Sequence, residues 1–194
     1  MALNKLLALT IAAMAFVSVP AVADNSRVKI QHAVDPKTSI ESWVLQDDGV
    51  EVELIQISPD QARGFFLARG FNRGDVDYYA ASCVFATVVR NQSPMTISYH
   101  LADWRYATAD SVTRKLKLKD DWLREWQQRG VSKSAQIAFE WSQHPTNQTL
   151  EPKDWNQGMT TYQVPHGSQF DLTVKWKKGN KNYVDTIRGI RCAD

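Results

Sequence analysis

The chain has 194 residues, 43% of them hydrophobic, with 23 Lys and Arg against 21 Asp and Glu and a formal net charge of +2. That size and apolar share suffice for one domain's core, and the near balance of charge excludes a general electrostatic pull toward nucleic acid or anionic membrane. No low-complexity tract, internal repeat or long linker divides the sequence.

Residues 1–23, MALNKLLALTIAAMAFVSVPAVA, place one positive charge at Lys5 before an apolar run from Leu6 to Val19 and end on small residues at Ala21 and Ala23. This is the layout of a cleaved secretory signal, and the run falls short of the about 20 apolar residues that a bilayer span requires. Asp24, not cysteine, follows the cut, so no lipid anchor is expected. The sequence therefore predicts a soluble periplasmic or secreted product, with residues 24–194 forming a single β-sandwich domain. Its two cysteines, Cys83 and Cys192, are expected to be disulfide-bonded in such a compartment.

Along the mature chain, a weak strand is expected at Arg27–Ala33. Glu41–Gln46 and Val50–Ile57 then flank Asp48-Gly49, the dipeptide of a tight hairpin turn. Ser58-Pro59-Asp60-Gln61 is a capping box with proline at the first helical position, which predicts a helix from Pro59 to Arg69, stopped by Gly70. A second helix at Asp75–Ser82 delivers the chain to Cys83. Val84–Arg90 and Met95–Ala102 read as strands on either side of Asn91–Pro94, followed by a weak strand at Val112–Leu118. The third helix, Asp120–Arg129, puts Trp122, Leu123 and Trp126 on one stripe and ends at Gly130. Ala135, Ile137, Phe139 and Trp141 alternate with Gln136, Ala138 and Glu140, which predicts a strand with Trp141 facing inward. Thr160–Val164, Phe170–Trp176 and Tyr183–Arg191 complete a mainly β chain with about three short helices. Such a pattern implies an antiparallel β-sandwich, immunoglobulin-like in architecture.

Candidate chemistry is sparse. The four histidines, His32, His100, His144 and His166, with Met95 and Met159, are ligand types that suit copper in an exported protein. A copper carrier built on His100, His144 and His166 is therefore one alternative. Strand parity sends Met95 and His100 to opposite faces, and an extended segment would hold Met159 up to roughly 23 Å from His166, which belongs to the turn at Pro165–Ser168. No zinc spacing, G-x-S-x-G elbow or C-x-x-C is present. Glu51 and Glu53 share a strand face and offer a second alternative, a hydrolase with an unrecognised acid pair, although the wet face of a strand explains them as well. Lys115, Lys117 and Lys119 form a basic ladder, Arg73-Gly74-Asp75 matches an adhesion tripeptide, and Asn91 and Asn147 begin glycosylation triplets expected on exposed loops.

The seven tryptophans say more. Trp122, Trp126, Trp141 and Trp176 fall on apolar stripes and are expected in the core. Trp43, Trp104 and Trp155 lie in or near polar segments. Trp104 with Tyr106, and Trp155 with Asn156 and His144, are the residues expected to form a surface for a small ligand or a protein partner. The leading expectation is a non-catalytic binding or accessory protein without a cofactor.

Overall fold

The computed structural model describes residues 28–194; the expected signal peptide and the cut before Asp24 lie outside the described residues. Strands and helices are numbered β1 to β11 and α1 to α4 along the chain. The first sheet is antiparallel and runs in the order β1 (Val28–Val34), β2 (Glu41–Asp47), β3 (Val50–Ile57), β4 (Cys83–Asn91) and β9 (Trp155–Tyr162). Its hairpin follows the sequence: Asp47 lies opposite Val50, and the turn residues Asp48 and Gly49 both have positive φ, 47° and 81°. Gly49 is needed twice over, because a Cβ there would meet the Ser93 backbone at 2.9 Å.

The second sheet is built around β10 (Gln169–Lys178). β11 (Lys181–Arg191) covers one edge of it along nearly its whole length. The other edge is shared by two short strands, β5 (Ile97–His100) opposite Lys177 and Lys178, and β6 (Arg105–Ala107) opposite Asp171 to Thr173. Between them a single 3-10 turn, Leu101–Asp103, lifts the chain off the sheet. β7 (Thr113–Lys115) pairs with β6, and β8 (Asn147–Leu150) with β5.

The two sheets pack face to face, and period-2 alternation decides what lies between them. Phe170, Leu172, Val174 and Trp176 of β10 are all buried against Trp43, Leu45, Leu54 and Phe85 of the first sheet. Cys83 and Cys192 are disulfide-bonded with their Cα atoms 5.5 Å apart, so the C-terminal tail is tied to the start of β4.

A third layer covers part of the first sheet's outer face. It consists of α1 (Pro59–Leu67), α2 (Arg73–Ala80), α3 (Lys119–Gln128) and α4 (Lys133–Ser142). The capping box is present in full: Ser58 Oγ accepts from the Gln61 N–H, and the Gln61 side chain accepts from the Ser58 N–H. Phe66, Tyr79, Trp122, Trp126 and Phe139 form a second, aromatic core with Val84 of β4, and Trp122 stacks on Trp126 at 5.2 Å. Among the described residues no helix is long and apolar enough to cross a membrane.

Here one expectation fails. The segment 135–141 is not a strand but most of α4, a fourth helix. Ala135 and Phe139 are one helical turn apart and both buried, while Ile137 and Trp141 are exposed, Trp141 by 85%. Alternate apolar residues at four positions contain an i, i+4 pair as well as a β period, and Ser132, whose hydroxyl accepts from the Ala135 N–H, caps the helical choice. Three smaller expectations change too. Asn91 is buried and its amide donates to the carbonyls of Met95 and Leu150, so it is no exposed loop site. Asp75 is buried against Arg129 at 2.7 Å, so the acidic member of the adhesion tripeptide is withdrawn while Arg73 and Gly74 stay exposed. The lysine ladder dissolves: Lys117 pairs with Glu125 and lies 3.5 Å over the Trp122 ring, and Lys119 opens α3.

Candidate ligand-binding cleft

The five residues expected to form a binding surface are dispersed. Trp104, 1% exposed, fills the gap left where the 3-10 turn departs from β10, and its Nε1 donates to the Lys175 carbonyl at 3.1 Å. Tyr106 is buried against Tyr162 and Phe170, with its hydroxyl accepting from the Gln163 N–H. Both are core residues, not a stacking platform. Trp155 is 59% exposed but stands on the first sheet, opposite Arg90.

His144 and Asn156 lie beneath the surface around Tyr99. The Tyr99 hydroxyl meets His144 Nε2 at 2.9 Å, and the two rings stack at 5.7 Å. Burial, 1% exposure, pushes His144 down to about 4. Among the described residues its Nδ1 has no partner at hydrogen-bond geometry, and the Thr87 backbone offsets the burial only in part. The sign of the consequence follows. In the unfolded chain the imidazole titrates near its ordinary 6.5, so between that value and about 4 the unfolded state binds the extra proton. The stability is complete above the unfolded value and falls as pH drops through this window, by about 2 kcal/mol at pH 5. Urea unfolding at pH 7 and pH 5 on wild type and His144→Gln should show the smaller pH loss in the variant; equal losses would remove His144 as the cause.

The histidines of the copper alternative are separately engaged. His100 Nδ1 accepts from the Ala102 N–H, His144 is bound to Tyr99, and His166 has Ala193 O at 3.0 Å from Nδ1 and Ala80 O at 2.9 Å from Nε2. Among the described residues no three His, Cys, Asp or Glu side chains gather as a metal site would require. The acid pair is engaged as well. Glu51 and Glu53 both bind Arg90 Nη1, at 2.5 and 2.8 Å, and Glu51 also accepts from Gln46 and Gln92. Two carboxylates shared with one guanidinium form a salt-bridge network on a sheet face, not a free acid and base on opposite sides of a substrate.

A cleft of about 420 Å³ opens instead on the outer face of the second sheet, where β5, β10 and β11 run side by side. The 3-10 turn borders it: past His100 the chain leaves β10, Trp104 fills the inner side of the gap at Lys175, and the cleft lies over the outer side. Register sets its floor. Lys177 lies between Ser98 on β5 and Asn182 on β11, and Lys175 is opposite Val184 on β11. His100, Asn147 and Asp103 line the side toward the turn. Lys178, one residue on, pairs with Asp48 at 2.6 Å, whereas Lys175 and Lys177 are exposed and make no ion pair among the described residues. Two ammonium groups on one strand face, with a hydroxyl, two carboxamides and an imidazole around them, form a donor-rich surface suited to an oxyanion. Lys175 alternates with the inward Val174 and Trp176 of the expected strand and Lys177 lies just past its expected end, so nothing local marks either as unpaired and a neighbour of a cleft. No family model matches the chain, and no curated protein or solved structure matches it.

Proposed function

We propose that this chain is an exported, non-catalytic binding protein of the periplasm or exterior that takes a small acidic ligand in the cleft between β5, β10 and β11. The secretory layout of residues 1–23 and the Cys83–Cys192 disulfide support an oxidising compartment. The observation that carries the ligand class is the pair Lys175 and Lys177, unneutralised on the cleft floor and flanked by Ser98, Asn182 and His100. Lysine presents a compact charge with rotatable donors, and the carboxamides of Asn147 and Asn182 add directional hydrogen bonds. Asp103 at the rim disfavours a ligand with anionic groups at both ends and favours one whose single anionic group sits over β10. Glu51 and Glu53 are both bound to Arg90, so the acid pair of the hydrolase alternative is already engaged.

Titration of the mature protein with glucuronate, inorganic phosphate and neutral glucose, followed by amide chemical shifts, tests the reading. The two anions are expected to bind at about millimolar affinity and shift residues of β5, β10 and β11, with glucose inert. Lys177→Glu is expected to weaken anion binding by at least about tenfold, through loss of one charge-assisted hydrogen bond together with repulsion from the new carboxylate. Anion shifts that survive Lys177→Glu unchanged, or no shifts at about 10 mM anion, would overturn it.

A further inference from the structure

We infer that the outer face of the first sheet carries a second binding site, where the Trp155 ring stacks on a neutral oligosaccharide whose hydroxyls bond to Gln157, Arg90 and Glu53. It shares no residue with the cleft between β5, β10 and β11. Strand pairing builds it. Glu51 lies opposite Arg90 and Arg90 opposite Trp155, so one residue each from β3, β4 and β9 stands in a row across the sheet, and Glu53 and Gln157 flank Val88 in the next row. These positions alternate with the buried Val52, Leu54 and Val89, so their side chains share the outer face. The helical layer packs on the other end of that face, against Ile57, Val84 and Met159. Val84 and Arg90 are six residues apart on β4, about 20 Å. At the Arg90 end the face is open: Trp155 is 59% exposed and the Arg90 side chain 36%.

The exposed ring and the fixed polar groups beside it are separate observations. Trp43, Trp104, Trp122, Trp126 and Trp176 are buried, and only Trp141 and Trp155 are exposed. Trp141 stands on α4 one turn from the exposed Ile137, whereas Trp155 has charged neighbours across two strands. Those neighbours hold one another. Both carboxylates bind Arg90 Nη1, and Gln46 and Gln92 donate to Glu51 Oε2. Among the described residues Arg90 keeps its Nε and Nη2 donors uncommitted, Glu53 keeps Oε1, and the exposed Gln157 keeps its carboxamide. A ligand bonding to groups already fixed in this way loses little free energy to side-chain ordering.

The chemistry of the row selects the ligand. A pyranose ring presents C–H bonds on its faces and hydroxyls at its margin, so it covers an indole face while offering donors and acceptors to carboxylate, guanidinium and carboxamide. Two carboxylates against one guanidinium leave a net negative charge, which disfavours the anions that suit Lys175 and Lys177. A protein partner would need an apolar core around the tryptophan, and its neighbours across β4 and β3 are charged. Adjacent strands are about 4.8 Å apart, which puts Trp155 about 10 Å from Glu51. One sugar ring therefore covers the tryptophan only, and an extended oligosaccharide spans the row.

Titration of disulfide-intact protein spanning residues 24–194 with cellotetraose, followed by amide and indole N–H chemical shifts, tests the inference. Binding at about millimolar affinity is expected to shift the Trp155 indole N–H and the amides of β4 and β9, leaving β5, β10 and β11 unmoved. Trp155→Ala is expected to weaken it at least about tenfold with an unchanged circular dichroism spectrum, and Trp155→Tyr to retain most of it. Trp141→Ala, at the other exposed tryptophan, should change nothing. No shifts at about 10 mM cellotetraose, binding that survives Trp155→Ala, or shifts confined to β5, β10 and β11 would overturn the inference. Glucuronate binding in the cleft is expected to be the same in wild type and Trp155→Ala, so the two sites stand or fall separately.

Discussion

Gly158→Ala is expected to destabilise the fold by at least about 3 kcal/mol. Gly158 lies in β9, paired with Thr87 of β4, at the point where the chain leaving α4 crosses the strand. A Cβ there would stand 2.3 Å from the backbone N and Cα of His144 and 2.5 Å from the Gln143 carbonyl carbon. These are main-chain atoms, so no rotamer change relieves the clash. Either β9 moves off β4 or the Gln143–Met159 bridge opens, taking the His144 N–H bond to Met159 O with it. Gly64→Ala in α1 is the control: nothing lies within 4 Å of its added methyl, and removing a glycine from a helix interior should stabilise by about 0.5–1 kcal/mol. Urea melts of both variants decide the matter. A Gly158→Ala protein as stable as wild type would mean that the crossing is not a backbone contact.

The second large effect is expected at Cys192→Ser, about 4 kcal/mol, with an upper bound near 5 in the chain-entropy account of a loop this long. The bond joins positions 109 residues apart, and both cysteines are buried, so the variant also places a hydroxyl in an apolar core. The tail should loosen and not detach, because other contacts hold it. Gln56 Nε2 donates to Arg191 O, the Cys192 N–H donates to Ser168 O, and His166 lies between the carbonyls of Ala80 and Ala193. A histidine in a turn thus has a task that its position in Pro165–Ser168 does not announce. The check is urea unfolding with and without reductant, beside a thiol count on denatured native protein. Two free thiols per chain would end the argument.

How far the fold was legible depended on the range of the interaction that decides each element. The Asp48-Gly49 hairpin, the capping box at Ser58 and the alternation of Phe170 to Trp176 are local: the backbone conformation of a few residues, or one repeated face, fixes them. Trp122 and Trp126 were legible as core for the same reason. The segment 135–141 was not, because its apolar spacing satisfies a strand and a helix at once, and only the aromatic core around Phe66 and Tyr79 selects the face holding Ala135 and Phe139. The result exposes Trp141, which alternation had placed inside.

The candidate site was less legible still. Lys175 belongs to the expected strand, whose alternation turns it outward, but Lys177 lies beyond the expected end at Trp176 and is outward because β10 continues to Lys178. That both are unpaired beside a cleft depends on Asp48 lying beside Lys178, 130 residues away in sequence, and on the turn at Leu101–Asp103 where the chain leaves β10. Likewise Trp104 and Tyr106 sit in a polar segment yet are buried, because β10 and Tyr162 come to them from the far end of the chain. By itself the sequence determined the β-rich class, the hairpin, three of the helices and the inward faces of the long strands, since these follow from turn chemistry, capping and the two-residue side-chain period. Which tryptophans are covered, where α4 crosses β9 and which charges remain without a partner were decided only by the tertiary structure, because burial and charge pairing belong to neighbours in space that no local pattern contains.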